Sequence, residues 1–123
     1  MAISLQYVLT LLARILIGAL FLAGPVQKIA NPDPAVTLLQ GAGLSGVWIW
    51  PALAFNLMAA LALFAGRFVF PVALMLAAYC AITSFFHLVP EDPWQMSIFI
   101  KNWAIAGGCL ALAVVYGQFD REN

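Results

Sequence analysis

Arg14, Lys28, Asn56, Tyr79, His87, Lys101 and Asn102 stand inside or at the ends of long apolar stretches, where polar side chains are costly. The guanidinium of Arg14 offers five donors and no acceptor, so it can hold an anion or polarise a carbonyl oxygen such as that of a quinone. His87 can hydrogen-bond a neighbouring helix or line the entrance of such a site. Lys28 and Lys101 add positive charge, and Asn56, Tyr79 and Asn102 add neutral donors and acceptors. Together these types point to a ligand-binding site for an anion or a lipophilic oxygen compound. The same Arg14 could instead cross-link neighbouring helices through Asn56, the best side-chain acceptor at its depth, with Tyr79 and freed backbone carbonyls behind it. Both readings stand at this level.

The pattern excludes several other chemistries. One histidine cannot supply a bis-histidine haem. The two cysteines, Cys80 and Cys109, form no CxxC pair and read as buried free thiols. No His, Cys or carboxylate cluster has metal-ligand spacing, so no metal is expected. The acids Asp33, Glu91, Asp92, Asp120 and Glu122 all fall in loops or the tail, which argues against proton-coupled export.

What positions these residues is a membrane. Hydrophobic residues make up 65% of the chain and charged residues 8%, with a mean hydropathy of +1.02. A soluble domain has roughly 45–50% apolar and about 25% charged residues. Such a chain cannot cover its own surface with polar groups, and lipid must do so. Five Lys and Arg balance five Asp and Glu, leaving no basic patch for nucleic acid. Apolar stretches at about 7–30, 47–65, 68–88 and 97–117 are each near the 20 residues a span needs. They predict a single all-α domain over residues 1–123: an integral-membrane four-helix bundle with short loops. No Lys or Arg precedes Arg14, so the positive region of a cleavable signal is missing and the first stretch is expected to persist as a span.

The first loop, 31–46, is the longest. Asp33 is expected to cap a short interfacial helix over 35–40, with Pro34 in its first position and Gly41 ending it. That helix would lie on the membrane surface or fold over the bundle. Only Gly66-Arg67 separates the second and third spans, which predicts a tight antiparallel hairpin. Trp48, Trp50, Trp94 and Trp103 fall near one membrane face, as indoles prefer. Small residues at helical spacing, Ala73, Ala77 and Ala81 on the third span and Ala104 and Gly108 beside Gly107 on the fourth, predict close helix packing.

At 1.5 Å per residue, Arg14, Asn56 and Tyr79 share a middle layer roughly 10–15 Å from the face carrying the termini. Lys28, Thr83, Ser84, His87, Lys101 and Asn102 form an outer layer nearer the loops. Arg14, Gly18, Phe21, Pro25 and Lys28 line one face of the first span, and Tyr79, Thr83 and His87 one face of the third. Gly24-Pro25 is expected to kink the first span and free a carbonyl near Phe21. Lys and Arg divide two against two, with Arg67 and Arg121 on the terminal side and Lys28 and Lys101 opposite. The latter two can snorkel and count for less. The expected orientation has both termini in the cytoplasm.

The run LARILIGALFLAG at 12–24, followed by Lys28, resembles the first helix of the DoxX family of small bacterial membrane proteins. His87 after a phenylalanine pair, and then KNWAIAGG at 101–108, resemble the end of the same domain. The resemblance covers nearly the whole chain. It implies a four-helix protein of the bacterial inner membrane in a group linked to redox work. That group includes the small subunit of a thiosulfate:quinone oxidoreductase and partners of thiol and superoxide defence enzymes. Arg14, Gly18, Gly24, Lys28, His87, Lys101 and Asn102 match the family pattern. The family commonly has a glutamate about where Asn56 stands, so the natural counter-ion for Arg14 is missing here.

The expected function is therefore an accessory or quinone-binding subunit of a redox or oxidative-stress assembly. Its partners would be the lipid bilayer, redox-enzyme subunits or further copies of itself. Whether it is an enzyme is left open. A non-catalytic scaffold and a small anion transporter or channel are the alternatives.

Overall fold

Ser4 opens the first helix by accepting a hydrogen bond from the Tyr7 N–H at 3.1 Å. From there α1 runs unbroken over Leu5–Ala30, with the ring of Pro25 inside it and fully buried. The computed structural model describes residues 3–122, with side chains to Gln118; the Arg121 side chain used in the charge count lies outside the described residues. After α1 come α2 (Asp33–Gly41), a 3₁₀ turn (Gly46–Trp48), α3 (Ile49–Ala65), α4 (Val69–Ser84), a second 3₁₀ turn (Phe85–His87) and α5 (Pro93–Glu122). Among the described residues, four segments are long and apolar enough to cross a membrane: Leu5–Ala30, Gly46–Ala65, Val69–His87 and Pro93–Gln118. Only 11 to 39% of each is buried within the protein, so the remaining apolar surface is left for lipid. The all-α, four-helix architecture is as the sequence predicts.

Helix pairing departs from expectation. The main contacts are α1 against α3 and α4 against α5; α3 and α4 touch only sparingly despite their two-residue connection. The reason is side-chain size. Ala73, Ala77 and Cys80 on α4 and Ala106, Cys109 and Ala113 on α5 are all buried, and small residues let membrane helices close up. Between α3 and α4 stand Phe55, Met58, Phe68 and Met75, which hold the helices apart around an apolar groove of about 400 Å³. The turn itself needs left-handed backbone at Gly66 (φ 73°) and again at Phe68 (φ 56°). The expected hairpin is thus a tight turn between two splayed helices.

Three local expectations also shift, and of the two positions open to α2 one is taken. Asp33 does not cap α2; it lies in the first turn, and its N–H is capped by Asn31 Oδ1 at 3.3 Å. α2 folds over the bundle, with Ala35, Leu38 and Leu39 turned to its interior. α5 begins at Pro93, several residues before 97, because Asp92 Oδ1 accepts from the N–H groups of Trp94 (3.0 Å) and Gln95 (3.3 Å) ahead of a proline suited to the first helical position. Finally, the Ala104, Gly107 and Gly108 face is exposed, and a Cβ added at either glycine would meet nothing within 4 Å.

Candidate functional site

The two polar layers of the sequence do not survive as drawn. Arg14 leaves the middle layer. Side chains on a helix lean toward its N-terminus, and the guanidinium of Arg14 follows that lean down to the α3–α4 turn. There Nη1 donates to the Tyr116 hydroxyl at 2.8 Å. The guanidinium fills the space beside Gly66, where an added Cβ would stand 2.9 Å from Nη1. Asn56 lies ten residues from Gly66 along α3, roughly 15 Å at the helical rise. Arg14 therefore does not meet Asn56 or Tyr79, and Tyr116 takes the place assigned to them. Gly18 admits the ring of Phe64, which closes the gap one turn beyond Arg14.

Five of the expected residues do come together. Lys28, Asn56, Tyr79, His87 and Asn102 line one cavity of about 330 Å³ at the loop end of the bundle. Its apolar walls include Phe21, Ile49, Trp48 and Ile105, and α2 covers it with Leu38 and Leu39. Lys101 is exposed on α5 and does not line this space.

The deep end is built by α3 and α4. Asn56 is 4% exposed, and its Nδ2 donates to the Tyr79 hydroxyl at 3.1 Å. Its Oδ1 is buried with no hydrogen-bond partner among the described residues. Such an unmet acceptor costs roughly 1–3 kcal/mol. The Tyr79 ring is held by Phe55 (centroids 5.4 Å apart) and edge-on by Phe21 (6.4 Å). Thr83 donates back to the Tyr79 carbonyl at 2.7 Å, and Ser84 to the Ala81 carbonyl at 2.6 Å. Such back-bonding competes with the helix ladder. α4 gives way to a 3₁₀ turn just after these residues.

That turn presents His87 to α5. His87 Nδ1 lies 2.6 Å from Gln95 Oε1. A carbonyl oxygen only accepts, so Nδ1 is the donor in this contact. Gln95 was missed from the sequence because it was assigned to a loop. The Asp92-Pro93 pair, a helix-start signal, could have found it. Tyr116 was missed because it reads as an ordinary span-end aromatic.

The cavity is mostly apolar, with a donor–acceptor pair at depth and Lys28, His87 and Asn102 around it. Such a lining suits a lipophilic molecule carrying oxygen functions. The orphaned Asn56 Oδ1 asks for a ligand hydroxyl or other donor that can reach it. No group of three or more metal-ligating side chains occurs among the described residues. No curated protein and no solved structure matches the chain. The family model described as DoxX matches residues 9–88, more than half of the chain, and the match takes in Arg14, Lys28, Asn56, Tyr79 and His87 but ends before Lys101 and Asn102. With its four membrane-crossing helices and that match, the chain belongs to the DoxX family.

Proposed function

We propose that this DoxX-family membrane protein is a quinone-binding accessory subunit of a redox assembly, and that the cavity beneath α2 is its binding site. The observation that carries the reading is the buried Tyr79 hydroxyl, a donor for a quinone oxygen at the deep end of an apolar cavity within the membrane. A bound quinone supplies two-electron, two-proton redox chemistry. The chain's own residues orient and select. Tyr79 accepts from Asn56, which leaves its O–H to donate to a ligand oxygen. The apolar walls exclude water. Lys28 and the Gln95-fixed imidazole of His87 stand where charge or a proton on the ligand would be met.

The test is a titration of a short-chain benzoquinone into the protein in lipid nanodiscs, read by calorimetry. Tyr79→Phe removes the hydroxyl donor at the deep end, and the expected loss is about tenfold in Kd. Unchanged binding would remove Tyr79 from the site.

Arg14 belongs to packing on this reading. Arg14→Ala is expected to lower the melting temperature in mild detergent by several degrees, from the loss of one charge-assisted hydrogen bond worth roughly 1.5–3 kcal/mol. The same variant should bind the quinone with the wild-type Kd. A collapse of binding in well-folded Arg14→Ala would return Arg14 to the site. Mild-detergent co-purification tests the assembly: a redox enzyme subunit is expected with the protein, and its consistent absence would leave a quinone-binding protein acting alone.

A further inference from the structure

Resting on the quinone reading of the cavity, we infer that Asn56 and Tyr79 make the site selective for the hydroxyl-bearing, reduced form of its ligand over the carbonyl form. The inference comes from counting donors and acceptors at the deep end. Asn56 Nδ2 is committed to the Tyr79 oxygen at 3.1 Å. Asn56 Oδ1 is buried and unmet. The site therefore offers a ligand one acceptor, Asn56 Oδ1, and as donors the Tyr79 O–H and the second N–H of Asn56 Nδ2.

A hydroxyl is donor and acceptor on a single atom. It can donate to Asn56 Oδ1 while accepting from Tyr79. A carbonyl oxygen can only accept, so it satisfies Tyr79 and seals Asn56 Oδ1 away from water with nothing to bond. Sites built to hydrogen-bond a ligand hydroxyl reject the analogue lacking it for this reason: the buried polar group is left unpaired. Asn56 is held by Tyr79, and Tyr79 by two aromatic neighbours, which limits how far the amide can turn to escape the mismatch. Tighter binding of the reduced form draws the couple quinone + 2H⁺ + 2e⁻ ⇌ hydroquinone to the right within the site. An asparagine at this position thus sets which redox form the cavity prefers, a role that a carboxylate could not fill in the same way, since an ionised carboxylate has no N–H to hold Tyr79.

The experiment uses full-length protein in nanodiscs under anaerobic calorimetry, with two probe pairs. One is a short-chain benzoquinone and its hydroquinone. The other is redox-inert, an alkylphenol and its methyl ether. Wild type is expected to bind the hydroquinone about tenfold more tightly than the quinone, and the phenol more tightly than the ether. Asn56→Leu should bring both ratios close to one. The wild-type preference for phenol over ether needs no variant, and it keeps the test alive if Asn56→Leu does not fold. Equal or tighter binding of the quinone overturns the selection while leaving a quinone site standing. Phenol bound over ether, with neither quinone form bound, overturns the quinone reading and retains a hydroxyl-selective site. No binding of any probe overturns both.

Discussion

Gly66→Val is expected to be the most damaging single substitution outside the helices, costing roughly 3 kcal/mol or more. Two independent terms add. Gly66 has φ 73°, and a left-handed residue with a Cβ costs roughly 1–2 kcal/mol, with a β-branched side chain at the upper end. The new side chain must also occupy the space of the Arg14 guanidinium, whose Nη1, Cζ and Nη2 lie 2.9, 3.1 and 3.3 Å from the Cβ position. Displacing it breaks the 2.8 Å bond to Tyr116, a charge-assisted bond worth roughly 1.5–3 kcal/mol. Gly43 separates the terms. It has φ 83° but nothing within 4 Å of its Cβ position, so Gly43→Val should show the backbone cost alone. Arg14→Ala should relieve the steric share, making the two substitutions non-additive. Denaturant or thermal unfolding in mild detergent measures the three single variants and the Arg14→Ala/Gly66→Val double against wild type. Equal losses for Gly66→Val and Gly43→Val would mean that the guanidinium does not sit against the turn.

Much of the fold was readable because hydropathy and length alone specify membrane spans. The short interfacial helix, the Gly66 turn and the Ala73–Ala77 packing face also follow from residue type. What was not readable depends on direction and depth. Arg14 looked like a mid-membrane charge because its Cα was counted along the helix axis, while its long side chain leans several ångströms toward the terminal face. Its partner, Tyr116, falls inside the expected fourth span, where an aromatic near the end reads as an interface residue rather than as a partner for a charge. The cavity fared better. Asn56, Tyr79 and His87 were polar residues with no reason to be in lipid, and a polar residue without an excuse is a strong positional signal. Lys101 carries the same signal but has an excuse, since a lysine near a helix end can reach the interface from a lipid-facing position. The asparagine at position 56 has a local meaning. The neighbour that matters to Asn56 is the Tyr79 hydroxyl, not a distant guanidinium, and an amide serves it by donating.

The packing face of α5 is where sequence pattern and structure disagree most openly, and a pair of leucines should decide between them. Both candidate faces carry small residues at helical spacing: Ala104 and Gly108 on one, Ala106, Cys109 and Ala113 on the other. In a helix apolar all round, no polar stripe marks the outside. The structure buries the second set, with Cys109 fully inaccessible and Ala113 1% exposed, and leaves Gly108 open. Ala113→Leu must therefore force a larger side chain into a closed α4–α5 contact. Overpacking of this kind costs roughly 1–3 kcal/mol. Gly108→Leu adds a side chain that meets only lipid and replaces a poor helix former, so it should be neutral or stabilising by up to about 1 kcal/mol. Unfolding midpoints in mild detergent are expected to fall for Ala113→Leu and to hold or rise for Gly108→Leu. The reverse order would mean that α5 meets α4 through its Ala104–Gly108 stripe, rotated from the arrangement described. Such a rotation would also carry Ile98, Asn102 and Ile105 away from the cavity wall they now form, so the same two variants test whether the binding site is assembled as proposed.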